Sequence, residues 1–319
     1  MTLRVVDYFA GLGGFTLGAR RAGAVVVQAI NHWPLAVEFH RRNHPEVRHD
    51  CEDLARYNPR RLADFDALVG GFACQGHSAA AGSENRKRTK VQRAPGELAA
   101  KWDDDRATAW SVIDCLEVRR PRAAIVENVP PFLKWTLFAP WLDALKRLGY
   151  DVRVNLCDAS LWGVPQQRTR VLITAVYGRE APAIEPPQKV TLRTAGDVID
   201  FDAGDWTMIA KKAEATRARV ENGRRAFGKR FVMPYNGSGS GLTGRSLDRP
   251  IGTVTAADRW GVVDGDRMRM LTAAEYLAFQ GFPADTMLPP KREDWTKMIG
   301  NAIPVALAEA GTRALMEAA

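Results

Sequence analysis

The sequence has no apolar run near the ~20 residues that a membrane-spanning helix needs. Its opening, MTLRVVDYFAGLGG, also lacks the charged, apolar and small-residue order of a secretory leader. The expectation is a cytoplasmic protein without membrane contact. Cysteine is scarce: Cys51, Cys74, Cys115 and Cys157 stand far apart with no CxxC pair. That speaks against a zinc site, so no metal is expected, and against a disulfide framework; a reactive thiol is left open. No internal repeat is present either. Of the residues, 46% are hydrophobic and 26% charged, the balance of a folded chain rather than a disordered or fibrous one. The length of 319 residues predicts about two domains. Lys plus Arg number 45 against 37 Asp plus Glu, a formal charge of +8 that suits a polyanionic partner and equally suits a merely Arg-rich composition.

Apolar runs at 3–9, 25–30, 67–69, 123–126 and 171–176 read as strands, and 16–22, 34–43, 107–118 and 141–148 read as helices. Strand and helix alternating at this spacing predict βαβ units around a mostly parallel sheet. The proline-rich EAPAIEPPQK at 180–189 marks a boundary. Beyond it the rhythm is lost: a basic stretch at 211–230 and a glycine-rich stretch at 237–244 precede helical patterning at 272–279 and 303–316.

Four constellations carry chemistry. The first strand ends in Phe9-Ala10-Gly11-Leu12-Gly13-Gly14, where glycines let backbone approach a ligand closely. The spacing is not GxGxxG and no phosphate lysine follows, which weakens dinucleotide and ATP readings; a plain tight turn is the alternative. The run from Gly70 to Ser78 puts Cys74 just beyond the carboxyl end of a predicted strand, the edge at which open α/β sheets bind ligands. A lone cysteine is otherwise an inert buried hydrophobe. Val126-Glu127-Asn128-Val129 ends another strand, bringing a carboxylate and a carboxamide toward the same edge. Gln166-Gln167-Arg168-Thr169-Arg170 supplies guanidinium groups suited to anionic or carbonyl oxygens.

In their order these motifs resemble those of the DNA cytosine-C5 methyltransferases. The resemblance continues through Asp53-Leu54, Cys74-Gln75, Arg249-Pro250 with Thr253, Leu271-Thr272 with Glu275, Gly281-Phe282-Pro283 and Gly300-Asn301-Ala302-Ile303-Pro304. It implies an α/β, Rossmann-like S-adenosylmethionine-dependent methyltransferase fold with a mostly parallel sheet, plus a smaller target-recognition domain. Residues 1–182 plus 285–319 would form the discontinuous catalytic and cofactor-binding domain, and 183–284 the target-recognition domain.

By the same resemblance, Cys74 is the nucleophile that adds to C6 of a flipped-out cytosine in duplex DNA, making C5 reactive enough to take a methyl group. Glu127 would sit at the N3 and N4 edge of the base, and Asn128 would brace the cysteine loop. Arg170 would reach the cytosine O2, and Arg168 a backbone phosphate, its charge also favouring the thiolate. Phe9, Gly11, Gly13, His32, Trp33, Asp53, Leu54 and Asn301 would hold S-adenosylmethionine, with Asp53 on the adenine amino group. Gln75, Ser78, Arg86, Lys87, Arg88 and Arg249 would meet DNA, the basic run at 86–93 being either a clasp over the backbone or a solvated loop. Three departures stand out: Ala73 precedes the cysteine where the family has proline, His77 stands three places after it where the family has an aromatic, and His32 replaces the acid that grips the cofactor ribose. The implied setting is a monomer on DNA with a companion restriction enzyme. A tRNA cytosine methyltransferase and a non-catalytic DNA-binding relative are the alternatives; the CFT tripeptide of the tRNA branch is absent from the recognition region.

Overall fold

The computed structural model describes residues 2–72, 108–235, 244–257 and 259–318. Its contacts divide the chain into two compact units. The first comprises Met1–Cys157, Thr169–Glu185 and Leu307–Ala319; the second comprises Asp158–Arg168 and Pro186–Ala306.

The first unit is built on a seven-stranded sheet. Its strands are β1 (Arg4–Tyr8), β2 (Val25–Asn31), β3 (Arg48–Cys51), β4 (Ala67–Gly71), β5 (Ala123–Asn128), β6 (Tyr150–Asp158) and β7 (Thr169–Tyr177), in the order β3-β2-β1-β4-β5-β7-β6. The five from β3 to β5 run parallel, and β7 returns antiparallel to β5. Such interior strands are covered on both faces, which is why β5 reads AAIVEN with all six residues buried. Between the strands lie α1 (Gly14–Ala22), α2 (Pro34–Asn43), α3 (Trp110–Arg119) and α4 (Phe138–Arg147), and α8 (Val305–Ala318) closes the unit. Tyr8, Phe72, Leu116, Phe132 and Trp141 share one core cluster. Burying aromatic side chains of this size contributes roughly 2–3 kcal/mol each.

The second unit carries an antiparallel sheet of β8 (Thr207–Met208), β9 (Arg230–Pro234), β10 (Trp260–Asp264) and β11 (Arg267–Met270), in the order β8-β11-β10-β9. Helices α5 (Glu214–Phe227), α6 (Ala273–Gln280) and α7 (Arg292–Asn301) complete it. Val220 of α5 packs with Phe231, Met233, Val263 and Met268 of the sheet. Among the described residues no helix is long and apolar enough to cross a membrane.

Candidate active site

The residues singled out in the first unit follow the carboxyl ends of its parallel strands. Phe9 leaves β1, His32 and Trp33 leave β2, Asp53 and Leu54 follow β3, Phe72 leaves β4, and Glu127 and Asn128 end β5. Strand order reverses direction at β1 and β4, the place where α/β sheets open a crevice for ligands.

The glycine turn is held open by its backbone. Phe9, a non-glycine residue, has φ 60°, a conformation that costs on the order of 1 kcal/mol and is kept where structure over-determines it. Ala10 N–H donates to Ile30 O at 3.1 Å, and Gly13 adopts φ 98° before α1 begins. A Cβ on Gly13 would lie 2.7 Å from His44 Nε2 and 3.1 Å from His40 Nε2, so only glycine fits there. Around Gly11, by contrast, the nearest atom to an added Cβ is Phe9 O at 3.7 Å. Backbone on that side is therefore approachable. His32 and Asp53 are exposed, Trp33 is half-buried and Leu54 is buried. Trp33 N–H donates to Asn31 Oδ1 at 2.9 Å, and Asp53 Oδ1 accepts from Ala55 N–H at 3.0 Å.

On β5 and β7 a carboxylate and a guanidinium meet: Arg170 Nε donates to Glu127 Oε1 at 2.8 Å. Gly71 of β4 lies opposite Glu127 in the parallel register, and a Cβ there would stand 2.6 Å from Glu127 Oε2. Asn128 is buried, and its Nδ2 donates to Phe72 O at 3.4 Å while its Oδ1 accepts from Val129 N–H at 2.8 Å. The Phe72 ring packs edge-on to Phe132 with centroids 5.0 Å apart. The base of the segment leading to Cys74 is thus pinned from two sides. Cys74, Gln75, Ser78, Arg86, Lys87 and Arg88 lie outside the described residues. Of the other cysteines, Cys51 is exposed, while burial pushes the Cys115 thiol up to about 12 and Cys157 to about 11. Neither buried thiol is a thiolate at neutral pH.

The expectation that Arg168 reaches a phosphate and favours a thiolate gives way to a different arrangement. Its side chain is buried in the second unit, where Nη1 donates to Val254 O at 2.5 Å and Nη2 donates to Gly300 O at 2.8 Å and Ala302 O at 3.1 Å. Those backbone carbonyls take up the terminal nitrogens that a phosphate would need. Gln166 joins the same framework: its Nε2 donates to Phe279 O at 2.7 Å and its Oε1 accepts from Val254 N–H at 2.6 Å. Gln280, which sequence reasoning missed, donates from Nε2 to Ile299 O at 2.8 Å. Asn301 and Arg249, both exposed, also belong to the second unit.

In the basic stretch several cations already have partners. Arg224 pairs with Asp266 at 2.7 Å, and Arg230 pairs with Asp264 at 2.9 Å, which with Arg267 holds that carboxyl below the usual range. Also missed was a buried group in the first unit, Asp7, Thr16, His40, His44 and His49. A lone acid inside an apolar strand was the available signal. Among the described residues no set of three His, Cys, Asp or Glu side chains is disposed to hold a metal ion.

A mostly parallel sheet with a strained glycine turn at β1 and a carboxylate–guanidinium pair beside the end of β4 defines the class of an α/β group-transfer enzyme. A profile of the C-5 cytosine-specific DNA methylases matches residues 3–317, and the chain belongs to that family. It is similar to the Type II methyltransferase M1.HphI of Haemophilus parahaemolyticus, with 25% identity over 99% of this chain and 87% of the relative. It is also similar to the Type II methyltransferase M.HindV of Haemophilus influenzae, with 26% identity over 96% of this chain and 94% of the relative. In fold it matches the S. pombe Dnmt2 methyltransferase, with a TM-score of 0.67, 16% identity and 99% of both chains covered. The protein is therefore an enzyme that methylates cytosine in DNA at C5, and its family and fold imply S-adenosylmethionine as methyl donor.

Proposed function

We propose that the protein methylates a cytosine that has left the duplex stack, through a covalent bond between Cys74 Sγ and C6 of the base. The observation that carries this reading is the Glu127–Arg170 pair, which stands at the carboxyl end of β5 beside the strand that leads to Cys74. Thiolate addition at C6 pushes electron density to C5, and Glu127 supplies or holds the proton at N3 as charge builds there. Arg170 orients that carboxylate and presents donors to the cytosine O2. After methyl transfer, loss of the C5 proton expels the thiolate and restores the aromatic ring.

The turn at residues 9–13 fits S-adenosylmethionine, since the space beside Gly11 admits a ligand against backbone. When bound, that cofactor supplies an electrophilic methyl group. Phe9, Gly11, Gly13 and Trp33 shape its seat, His32 meets the ribose and Asp53 the adenine. The second unit reads the target sequence, with Arg249 and part of the basic stretch against phosphates. The Type II relatives motivate a role in restriction–modification, as a monomer on duplex DNA alongside a companion nuclease.

Trapping tests the covalent step. With S-adenosylmethionine and a duplex bearing 5-fluorocytosine at the target, a denaturant-stable adduct forms through Cys74, because fluorine does not leave as a proton does. Cys74→Ala abolishes it. An adduct that persists in that variant, or that forms only with tRNA, overturns the reading.

A further inference from the structure

Beneath the glycine turn runs an unbroken line of polar side chains that the reaction above leaves unused. Asp7 of β1 is fully buried, and its Oδ2 accepts from Thr16 Oγ1 of α1 at 2.7 Å. Thr16 Oγ1 lies 3.1 Å from His40 Nε2 of α2, and His40 Nδ1 lies 2.8 Å from His49 Nε2 of β3. His49 is half-buried, so the line starts near solvent and ends in the sealed carboxyl, whose Oδ1 has no hydrogen-bond partner. His40 and His44 also form the floor of the turn against Gly13.

Hydrogen-bonding capacity allows two complete arrangements of this line. Thr16 has one hydroxyl proton, and each neutral imidazole has one donor and one acceptor nitrogen. With Asp7 ionised, His49 Nε2–H donates to His40 Nδ1, His40 Nε2–H to Thr16, and Thr16 O–H to Asp7. With Asp7 protonated, every donor reverses. One proton added at His49 Nδ1 converts the first arrangement into the second: the Nε2 proton of His49 passes to His40 Nδ1, the Nε2 proton of His40 to Thr16 Oγ1, and the Thr16 proton to Asp7 Oδ2. Both imidazoles are neutral before and after.

We propose that Asp7, Thr16, His40 and His49 form a proton relay that sets the charge under the glycine turn, and with it the preference for the sulfonium cofactor over its uncharged demethylated product. The inference rests on the reading that this turn holds S-adenosylmethionine. Donor and product differ by one methyl group and one positive charge, so a carboxylate below the turn favours the donor and a neutral acid does not. Burial is the main cause that pushes Asp7 up to about 7, against hydrogen bonds from Thr16. Burial and neighbouring histidines hold His40 below the ordinary imidazole range, and burial with Arg41 does the same to His49, so both conduct a proton without storing it. The other charges around the line are Arg20 and Glu46, paired at 2.7 Å beside His44, and Asp50, which accepts from Gln28 and Tyr57.

Calorimetric titration of wild type and Asp7→Asn at pH 6, 7 and 8, with S-adenosylmethionine and with S-adenosylhomocysteine, tests the proposal. Wild type tightens on S-adenosylmethionine about fivefold from pH 6 to 8 relative to Asp7→Asn, while the product changes less than twofold, the order expected of one buried charge acting at a moderate distance. The ligand's own ionisation is common to both proteins and cancels. Thr16→Ser restores the wild-type profile and Thr16→Val shifts it to higher pH. Infrared spectra without ligand show a protonated-acid carbonyl band that titrates near neutrality and is missing from Asp7→Asn. Matching pH profiles in folded wild type and Asp7→Asn overturn the proposal, as does a carbonyl band unaffected by Thr16→Val if Asp7→Asn fails to fold. Absence of cofactor binding at every pH, with the infrared titration intact, instead refutes the cofactor reading and leaves the relay standing.

Discussion

Glu127 Oε1 accepts a hydrogen bond from Arg170 Nε at 2.8 Å across two antiparallel strands, with side chains only 12% and 10% exposed. A buried ion pair of this kind adds little stability over an apolar pair, yet loss of one partner strands the other charge away from water. The pair therefore makes most sense as preorganisation, a carboxylate aimed before any base arrives.

Glu127→Gln tests that aim. The carboxamide retains a hydrogen-bonding shape but cannot supply a proton, so turnover falls by about 100-fold or more while DNA affinity stays within about threefold. The check is single-turnover methylation alongside a DNA-binding isotherm. Near-normal turnover would remove Glu127 from the reaction.

Gly71→Ala probes the same carboxylate from the neighbouring strand. The new methyl would lie 2.6 Å from Glu127 Oε2, and the side chain must turn aside. Misplacement by about 1 Å is enough to cost up to about 100-fold in rate. Turnover is expected to fall with little change in KM for DNA; an unchanged rate would mean that the carboxylate need not stand where β4 leaves room for it.

Arg168→Ala separates a brace from a phosphate ligand. Three carbonyls lose their donor, and stability drops by roughly 2–4 kcal/mol. Thermal melts report that loss. The slope of DNA affinity against salt stays as in wild type, whereas a lost phosphate contact would lower it by about one.

Much of this architecture is legible in the residues themselves. The apolar runs of β1, β2, β4 and β5 lead into glycine or polar residues, and that pattern alone places the candidate chemistry on one sheet edge. β6 is less legible because Val154 and Leu156 face outward, 40% and 63% exposed, and blur the alternation of YDVRVNLCD. The second unit's strands are too short to establish a period, as in the four residues RMRM of β11. Arg168 and Arg170, two residues apart, look equivalent in sequence; β7 begins at Thr169, so Arg170 lies within the strand beside Glu127 while Arg168 precedes it and is held by the second unit's backbone carbonyls. The relay escapes notice because His40 and His49 are distant in sequence from Asp7 and meet it only through Thr16.

Acid should weaken the first unit through its histidines. His44 is held down at about 4 by burial and by Arg20, below the ordinary 6.5. A depressed imidazole gives stability that is full above about pH 6.5 and is lost as pH falls through about 4. Asp7, raised to about 7, has the opposite sign: its contribution is full below about pH 4 and disappears as pH rises to 7. Melting temperatures between pH 4 and 7 follow the sum of the two. His44→Gln should flatten the acid limb and Asp7→Asn should raise Tm most at pH 8; parallel curves for all three proteins would contradict both assignments.

The last helix sets the order in which this protein can be made. A Cβ on Gly18 of α1 would stand 2.5 Å from Ala308 Cβ, and one on Gly311 would run into Ile125 of β5, so α8 beds tightly into the unit begun by the first strand. On the ribosome, β1 to β7 emerge long before α8, and the whole second unit is translated in between. Docking of α8 must therefore wait until the whole second unit has been translated. Until then the α1 and β5 surfaces that receive it remain uncovered, which makes the nascent chain a natural client for holding chaperones and makes loss of α8 more damaging than its distance from the chemistry suggests.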